Sequence, residues 1–550
     1  MKILKTVLKK LFLFILIPIS LAGQTHHDWS YNLSIYEANV RQYTHAGTFN
    51  AFGTHLDRLK DLGVGIIWFM PINPIGVQNR LGSLGSPYSV KDYLGINPEF
   101  GTMEDFEALV DSIHAKGMYV IIDWVANHTS WDNALTVTNP EWYVRVNGNF
   151  VPPPGTNWSD VIQLDYSKQG LRDYMIDAMK FWITEADVDG FRCDAVSFMP
   201  INFWSEAIPE LKSIKPGLFM LAEDDDTQYQ TAGFDMSYGW GLLAFGTGIL
   251  PDIYDGIKNA NFINAYATLE NTNFTASHYR MYFTSNHDEN SWHGTVYELF
   301  GDAAENFAVL TSTFRSMPLI YGGQEAGLDQ RLAFFDKDEI IWRPDPFASI
   351  YKTLFHLKRQ NKALWNGTAG GLLQRVTSTD NPSIIAFIRQ KEEDKVFEIF
   401  NLTDSVKTFT LQGTLYVGNY RDAFTNDSVL FIENTQMTLP AWGYKVYEYG
   451  SGITGVDDEV MLPEEFNLYQ NYPNPFNPTT TIQFSIPKNS FVTLKVYDLL
   501  GKEVANIVDE NMNAGVYERE FKADNLSSGI YFYSLSTNEF TQTKKLVLMK

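Results

Sequence analysis

Residues 190 to 196 read Gly190-Phe191-Arg192-Cys193-Asp194-Ala195-Val196, a short apolar run that carries two opposite charges two positions apart. Side chains alternate between the two faces of a strand, so Arg192 and Asp194 share one face and Cys193 lies on the other. A buried charge is costly unless it is paired. The segment therefore predicts a strand with either a structural ion pair or a charged cleft that has a function.

Helix and strand patterns alternate around this segment, from residue 28 to about 362. Thr102 and Asp105 form a capping pair before an apolar periodicity that ends near Gly117, and a strand-like run follows at once. With about eight such runs, an eight-stranded β/α barrel is favoured over an open doubly wound sheet. The strand-like runs include residues 64–70, 118–124, 190–196, 218–223, 280–285 and 318–321.

Polar side chains stand at the carboxyl ends of four of these predicted strands, where a β/α barrel carries its function. Carboxylates that converge on one barrel mouth repel one another, and such a cost is typical of an active site rather than of a structural ion pair. The repetition therefore favours an active site. In chain order the residues are Asp123, Asn127 and His128; Arg192 and Asp194; Glu223; and Asn286, His287 and Asp288.

The pair Asp194 and Glu223 suggests glycoside hydrolysis. The two residues end consecutive strands, which lie about 4.8 Å apart, and retaining glycosidases hold their two carboxyl groups closer than inverting ones do. Arg192 should keep Asp194 ionised as a nucleophile, whereas apolar and acidic neighbours should raise the pKa of Glu223, which suits an acid/base. Asp288 is then expected to hold sugar hydroxyls and to stabilise positive charge on the ring, with His128 and His287 as hydroxyl donors.

Length, net charge and cysteine content exclude several classes of protein and site. A chain of 550 residues should form about three or four domains. A net charge of −23 argues against nucleic acid or anionic lipid as a partner. The chain has one cysteine, Cys193, so no intramolecular disulfide and no cysteine metal cluster is expected.

The first 22 residues resemble a secretory signal peptide. Four lysines within the first ten residues precede an apolar run over residues 11–19, and Ser20-Leu21-Ala22 supplies small residues for cleavage. The run is too short to span a bilayer, so no transmembrane segment is expected after cleavage.

Short alternating strands replace the helix and strand units beyond residue 362 and predict all-β domains. A Gly-rich and acidic stretch, residues 450–461, predicts a linker. A second group of strands follows from residue 462. The predicted strands are residues 384–388, 396–399, 408–411 and 444–449 before the linker, and 481–486, 492–497 and 530–535 after it.

Four motifs together resemble glycoside hydrolase family 13, the α-amylase family. They are Asp123-Trp124-Val125-Ala126-Asn127-His128, Gly190-Phe191-Arg192-Cys193-Asp194, Glu223 and Phe283-Thr284-Ser285-Asn286-His287-Asp288. The resemblance covers about residues 28–449. It implies a (β/α)8 barrel in two parts, residues 23–128 and 166–362, with a short inserted domain over residues 129–165 after strand 3. An antiparallel β domain over residues 363–449 then follows.

The resemblance also implies the role of each site residue. Asp194 is expected to be the nucleophile, Glu223 the acid/base and Asp288 the third carboxylate. Tyr88 is expected to lie beneath the sugar at the cleavage point. The remaining expected substrate contacts are Asp123, His128, Arg192 and His287.

Two departures from the family pattern affect what the resemblance implies. Many α-amylases carry a Lys-His pair three and four residues past the nucleophile, where this chain has Ser197 and Phe198. The family's structural calcium often uses Asn127 together with an aspartate of the inserted domain, and Gln163 stands at the aspartate position. We expect no required cofactor, and calcium at that site to be absent or weakly held.

Residues 462–550 resemble the C-terminal sorting domain of type IX secretion. The features that carry the resemblance are Gly529-Ile530-Tyr531-Phe532-Tyr533 and the basic end Lys544-Lys545-Leu546-Val547. The alternative is a carbohydrate-binding β-sandwich. With the signal peptide, the sorting domain predicts an enzyme outside the cell, with the type IX secretion machinery as a partner.

The sequence thus predicts a secreted, retaining α-glucan hydrolase that cleaves starch or maltooligosaccharides through a covalent glycosyl-enzyme intermediate. One alternative is an α-glucan transglycosylase that uses the same intermediate but passes the sugar to another sugar. The other is a non-catalytic starch-binding protein, which the presence of Asp194, Glu223 and Asp288 disfavours.

Overall fold

A computed structural model describes residues 26–315, 317–449, 466–471, 473–488, 490–512 and 515–549. The predicted signal peptide and linker lie outside these residues. The chain forms two compact units, the first with a barrel and a large β-sheet and the second with a C-terminal β-sandwich. In the described part of the chain, every helix is too short or too polar to cross a bilayer.

Eight parallel strands close into a barrel in which each strand pairs with the next along the chain and the last pairs with the first. This confirms the predicted barrel. The strands are β1 (Ile35–Ala38), β2 (Ile66–Phe69), β3 (Tyr119–Trp124), β4 (Gly190–Cys193), β5 (Phe219–Ala222), β6 (Met236–Tyr238), β7 (Tyr279–Tyr282) and β8 (Met317–Tyr321).

Helices lie between the barrel strands, and their ends follow local sequence signals. Thr102 and Asp105 form the predicted capping box of the helix Met103–Ala115. Gly63, with φ of 93°, ends another helix in the left-handed conformation that glycine tolerates. The helices are α1 (Val40–Tyr43), α2 (Phe49–Gly53), α3 (Leu56–Leu62), α4 (Met103–Ala115), α5 (Leu135–Thr138), α6 (Gln169–Glu185), α7 (Ile201–Ile214), α8 (Gln228–Ala232), α9 (Ile249–Tyr254), α10 (Ala260–Asn273), α11 (Val296–Phe300), α12 (Ala304–Thr313) and α13 (Pro346–Gln360).

Two small antiparallel sheets lie in the segment between β3 and α6. One pairs His128–Ser130 with Val161–Gln163, and the other pairs Arg145–Val146 with Asn149–Phe150. The inserted domain over residues 129–165 and the other domain boundaries remain predictions.

An eight-stranded sheet follows the barrel, as the alternating pattern beyond residue 362 predicts. Its order is β14-β13-β16-β11-β10-β9-β12-β15. The strands are β9 (Leu372–Ser378), β10 (Ile384–Lys391), β11 (Asp394–Asn401), β12 (Lys407–Gln412), β13 (Gly418–Asp422), β14 (Ser428–Phe431), β15 (Gln436–Leu439) and β16 (Tyr444–Tyr449).

The second unit is a sandwich of a three-stranded and a four-stranded sheet around one apolar core, which includes Ile482, Leu494 and Tyr533. The sheet orders are β17-β18-β21 and β20-β19-β22-β23. The strands are β17 (Asn467–Leu468), β18 (Thr479–Ile486), β19 (Ser490–Tyr497), β20 (Glu503–Met512), β21 (Gly515–Lys522), β22 (Gly529–Ser536) and β23 (Thr541–Leu548).

Glu398 on β11 is a buried carboxyl group of the first unit, with 0% exposure. The neighbouring Arg389 donates its N–H groups to the backbone carbonyls of Gly371, Thr313, Phe314 and Trp365. Burial raises the pKa of Glu398 from its usual value of 4.5 to about 8, although Arg389 opposes the shift.

Replacement of Glu398 by glutamine should make stability less sensitive to pH. Between pH 4.5 and about 8 the folded protein keeps a proton on Glu398 that the unfolded chain releases, so this part of the stability is lost as pH rises. Between pH 5 and pH 9, wild type should lose about 2 to 4 kcal/mol more of its free energy of unfolding than Glu398→Gln does. Thermal midpoints at both pH values measure this, with the exposed Glu393→Gln as control, and an equal response of the two variants would contradict it.

Candidate active site at the carboxyl end of the barrel

Strand register places Asp194 beside Glu223. Cys193 at the end of β4 pairs with Ala222 at the end of β5, and the Glu223 N–H donates to the Cys193 carbonyl oxygen (3.1 Å). The next residue of each strand is therefore one of the two carboxylates, on backbones that lie about 4.8 Å apart.

Arg192 is the centre of the charged cluster. Its side chain is 1% exposed, and its guanidinium lies 2.9 Å from Asp123 Oδ1, 2.9 Å from Asp194 Oδ1 and 2.6 Å from Glu223 Oε1. Its Nε also donates to the Tyr238 hydroxyl (3.2 Å). The sequence predicts a pairing with Asp194; the structure adds two further carboxylates, which are the partners that a fully buried cation requires.

Glu223 has a largely buried side chain, 15% exposed, and accepts a backbone hydrogen bond. The Ala195 N–H donates to Glu223 Oε2 (2.6 Å), and Ala195 has φ of 44°, which turns the chain just past Asp194. Burial raises the pKa of Glu223, and the nearby carboxylates Asp194 and Asp288 raise it further, whereas Arg192 opposes them. A carboxyl group with a raised pKa is suited to donate a proton near neutral pH.

Tyr88 connects two other motif residues. Its hydroxyl donates to Asp123 Oδ2 (2.9 Å) and lies 2.8 Å from His287 Nε2, and its ring stacks on the His287 ring with centroids 5.3 Å apart. Trp68 Nε1 also donates to Asp123 Oδ2 (3.2 Å). Tyr88 is therefore held rigidly beside the charged cluster.

Glu37 on β1 is a site residue that sequence reasoning missed. It is fully buried, and its Oε1 lies 2.5 Å from His287 Nδ1. Burial opposes a charge on His287, but Asp288 and Glu37 raise the pKa of His287 to about 9. A protonated His287 donates from Nδ1 to Glu37 and from Nε2 to the Tyr88 hydroxyl. The sequence signal for Glu37 was a single carboxylate within the short, otherwise uncharged strand Ile35–Ala38.

The structure brings together all eight residues that the sequence predicts for the site. His128 is buried, hydrogen-bonds the backbone of Tyr88 and lies near Asp194, and burial lowers its pKa. Asp288 is 31% exposed and lies 3.3 Å from His287 Nε2. The others are Asp123, Arg192, Asp194, Glu223, Tyr88 and His287.

The residues at the expected calcium position do not fit a typical calcium site. Asn127 has its side chain 3.3 Å from His128 Nδ1, and Gln163 brings a neutral amide where an anionic ligand normally helps. Asp160 is a buried carboxylate nearby, but it precedes Gln163 by three residues, which is about 10 Å along an extended chain. Within the described ranges, no group of three His, Cys, Asp or Glu side chains could hold a metal ion.

A closed parallel barrel with carboxylates gathered at the carboxyl ends of its strands defines a β/α-barrel enzyme with a candidate acid/base site. Residues 30–395 match the family model "Alpha amylase, catalytic domain", and residues 376–447 match "Alpha amylase, C-terminal all-beta domain". The chain belongs to the α-amylase family, glycoside hydrolase family 13. Residues 470–549 match "Secretion system C-terminal sorting domain", which points to secretion or cell-surface export through the type IX system.

Individual relatives agree with this assignment. The chain is 27% identical over 512 residues to "Alpha-amylase 3" of Dictyoglomus thermophilum, which covers 79% of this chain and 96% of that protein. It is 26% identical over 503 residues to a cyclomaltodextrin glucanotransferase of Klebsiella oxytoca, and the match covers 76% of this chain and 74% of that protein. The crystal structure of an α-amylase from Lactobacillus plantarum superposes with a TM-score of 0.68 at 31% identity and covers 76% of this chain and 99% of that one.

Replacement of Glu37 by glutamine should lower the pKa of His287, because it removes a carboxylate that stabilises the imidazolium. The shift should be about one to two pH units downward from the value near 9. Histidine-selective NMR titration measures it. Glu325→Gln, at another buried glutamate, is the control and should leave the His287 titration unchanged; an unchanged titration in Glu37→Gln would contradict the pairing.

Substitution of Gln163 by aspartate tests whether the missing negative charge is what keeps calcium binding weak. Wild-type protein should show less than about 2 °C change in thermal midpoint between EDTA and millimolar calcium, because Gln163 supplies no charge. Gln163→Asp should make the midpoint rise with calcium, and the neutral Gln163→Asn should not. Strong calcium stabilisation of wild type would contradict the expectation.

Proposed function

We propose that the chain is a secreted, retaining α-glucan hydrolase of the α-amylase type that cleaves α-glucosidic bonds of starch or maltooligosaccharides. The observation that carries the proposal is the pair of carboxylates, Asp194 and Glu223, that leave adjacent strands side by side and share the Arg192 guanidinium. Adjacent strands suit the short carboxyl separation of retaining enzymes.

The proposed reaction has two steps. Asp194 attacks the anomeric carbon while Glu223 protonates the departing glycosidic oxygen, and the sugar becomes esterified to Asp194. Glu223, now a carboxylate, takes a proton from water, and the water oxygen attacks the anomeric carbon and releases Asp194. Arg192 lies 2.9 Å from Asp194 Oδ1, and this contact fixes the position of the Asp194 side chain.

The remaining polar groups are suited to position the sugar. Asp288 is partly open to the mouth and lies next to the protonated His287, so it can accept a sugar hydroxyl and stabilise the positive ring of the transition state. Tyr88 provides a flat ring, and its orientation is held by hydrogen bonds to Asp123 and His287.

Glycosyl transfer is the second candidate, because a glucanotransferase is among the relatives and transfer uses the same intermediate. The first step is common to both reactions, and only the attacking hydroxyl differs. A non-catalytic role is disfavoured, since Asp194, Glu223 and Asp288 all lie in the charged cluster.

The Asp194→Asn variant tests the proposal. It should reduce the release of reducing sugar from maltoheptaose by at least about a thousandfold, because an amide cannot serve as the nucleophile. Proton NMR of the first products from wild type should show the α-anomer. Initial β-anomer, or full activity of Asp194→Asn, would contradict the proposed mechanism.

Glu223→Gln is the matched variant for the second carboxylate. It should slow maltoheptaose cleavage strongly, whereas fluoride release from α-maltosyl fluoride, measured in the first turnover, should fall much less, because fluoride needs no protonation to leave and the second step, which also uses Glu223, follows that release. Equal losses on both substrates would argue against an acid/base role for Glu223.

A further inference from the structure

Glu289 directly follows Asp288 and is almost completely buried, with 2% exposure. It begins the short π-helix Glu289–His293, in which the Gly294 N–H donates to the Glu289 carbonyl oxygen (2.8 Å). Wide helical turns of this kind are rare and occur frequently at functional sites. The Asp288 carboxylate therefore stands directly before a backbone segment that needs support from its surroundings.

The carboxylate of Glu289 is bound by a tight turn on the loop after β6. Its Oε1 accepts from the Phe245 N–H (2.5 Å), and its Oε2 accepts from the Gly246 N–H (2.8 Å). These two residues have left-handed backbones, with φ of 53° and 69°. Ala244 and Thr247 donate their N–H groups to each other's carbonyl oxygens across the turn (2.8 and 3.0 Å). Successive N–H groups in such a turn form a cradle for an anion, and the Glu289 side chain fills it.

The turn and the π-helix also pack against each other at the far end of the π-helix. A Cβ atom on Gly246 would lie 3.0 Å from the Cβ atom of His293. The His293 ring lies 6.0 Å from the Phe245 ring, edge to face. The turn therefore contacts both the first and the last residue of the π-helix, and its position is coupled to that of the segment after Asp288.

A buried carboxylate beside Asp288 is a costly way to stabilise a turn. Burial raises the pKa of Glu289 above its usual value of 4.5 and Asp288 raises it further, whereas the two turn N–H groups and His293 oppose the shift. Neutral Asn and Ser side chains stabilise turns without a buried charge. The carboxylate is therefore better explained by what it does for Asp288 than by the stability of the turn.

The position of the Asp288 carboxylate depends on the backbone that carries it. The carboxylate is 31% exposed, and its Oδ2 lies 3.3 Å from His287 Nε2. On the side toward β7, Asn286 Oδ1 accepts from the Glu289 N–H (2.8 Å). On the other side, the Glu289 side chain ties the backbone to the turn after β6. Loss of that tie would let Asp288 shift relative to His287.

We propose that Glu289 is a positioning residue, which holds the Asp288 carboxylate in place at the site by anchoring it to the loop after β6. The inference rests on the proposed function, in which Asp288 holds sugar hydroxyls and stabilises positive charge on the ring. A group misplaced by about 1 Å can slow a reaction by about a hundredfold. Glu289 binds backbone groups and acts through Asp288.

Glu289→Gln tests the proposal, because an amide offers one acceptor where the turn presents two donors. First-turnover release of fluoride from α-maltosyl fluoride should fall by about tenfold. In the Asp288→Asn background no carboxylate is left to position, so the same substitution should change the remaining rate by less than about twofold. A tenfold loss in that background as well, or a wild-type rate in the single variant, would overturn the positioning role.

The titration of His287 gives a readout that does not depend on activity. Burial opposes a charge on His287, but Asp288 and Glu37 raise its pKa to about 9. A displaced Asp288 carboxylate should therefore lower this pKa, by about half a pH unit in Glu289→Gln. In Asp288→Asn protein, Glu289→Gln should add no further shift, whereas a direct effect of the lost charge would persist. An unchanged His287 titration in the single variant, measured by histidine-selective NMR, would overturn the proposal.

Gly246→Ala disturbs the same contact from the loop and leaves every carboxylate in place. Its added Cβ atom would press on His293 and displace the π-helix. Gly256→Ala is the matched control, because φ is 70° there and 69° at Gly246, yet no atom of the described residues lies within 4 Å of the added Cβ. Gly246→Ala should slow fluoride release by about fivefold, and Gly256→Ala should leave it unchanged. Equal rates of the two variants would overturn the coupling between turn and π-helix.

The Asp288→Asn variant separates the positioning role from the proposed function. Impaired Asp288→Asn beside fully active Glu289→Gln would overturn the positioning role alone. A fully active Asp288→Asn, or wild-type protein that releases no fluoride from α-maltosyl fluoride, would contradict the proposed function.

Discussion

The charged site depends on one buried cation. Arg192 lies wholly inside the barrel mouth and is shared by Asp123, Asp194 and Glu223. A buried guanidinium without partners would be strongly destabilising, and three buried carboxylates without it would repel one another. The guanidinium therefore offsets the repulsion among the carboxylates, and the carboxylates offset the cost of burying the guanidinium. The shared cation also fixes the positions of Asp194 and Glu223, the two proposed reacting carboxylates, relative to each other.

A second ion pair completes the electrostatics on the opposite side of the site. Glu37 on β1 faces His287 after β7, and Tyr88 hydrogen-bonds both His287 and Asp123. Charge thus alternates across the mouth from Glu37 to His287 and then, through Tyr88, to Asp123 and Arg192. The network gives Tyr88 a fixed orientation without burying an unpaired charge.

The surroundings of this polar centre are aromatic. Tyr88 stacks on Phe334 and on His287, and Phe334 also stacks on His287. A substrate with polar hydroxyls at its edges and apolar ring faces matches such a site. The barrel strands supply the rigid charged residues, and the loops supply flat aromatic contacts such as Tyr88.

Local sequence determined much of this protein: the alternating strands and capped helices predicted the barrel, and four motifs predicted seven polar residues of the candidate site, namely Asp123, His128, Arg192, Asp194, Glu223, His287 and Asp288. These signals are visible in one sequence because caps, periodicity and strand alternation act between near neighbours. Only the tertiary structure revealed the role of Glu37, whose strand of four residues is too short to show a pattern and whose partner, His287, is 250 positions away. It likewise decided that Arg192 serves three carboxylates, because the parallel pairing of β3, β4 and β5, not local sequence, sets which strand ends meet.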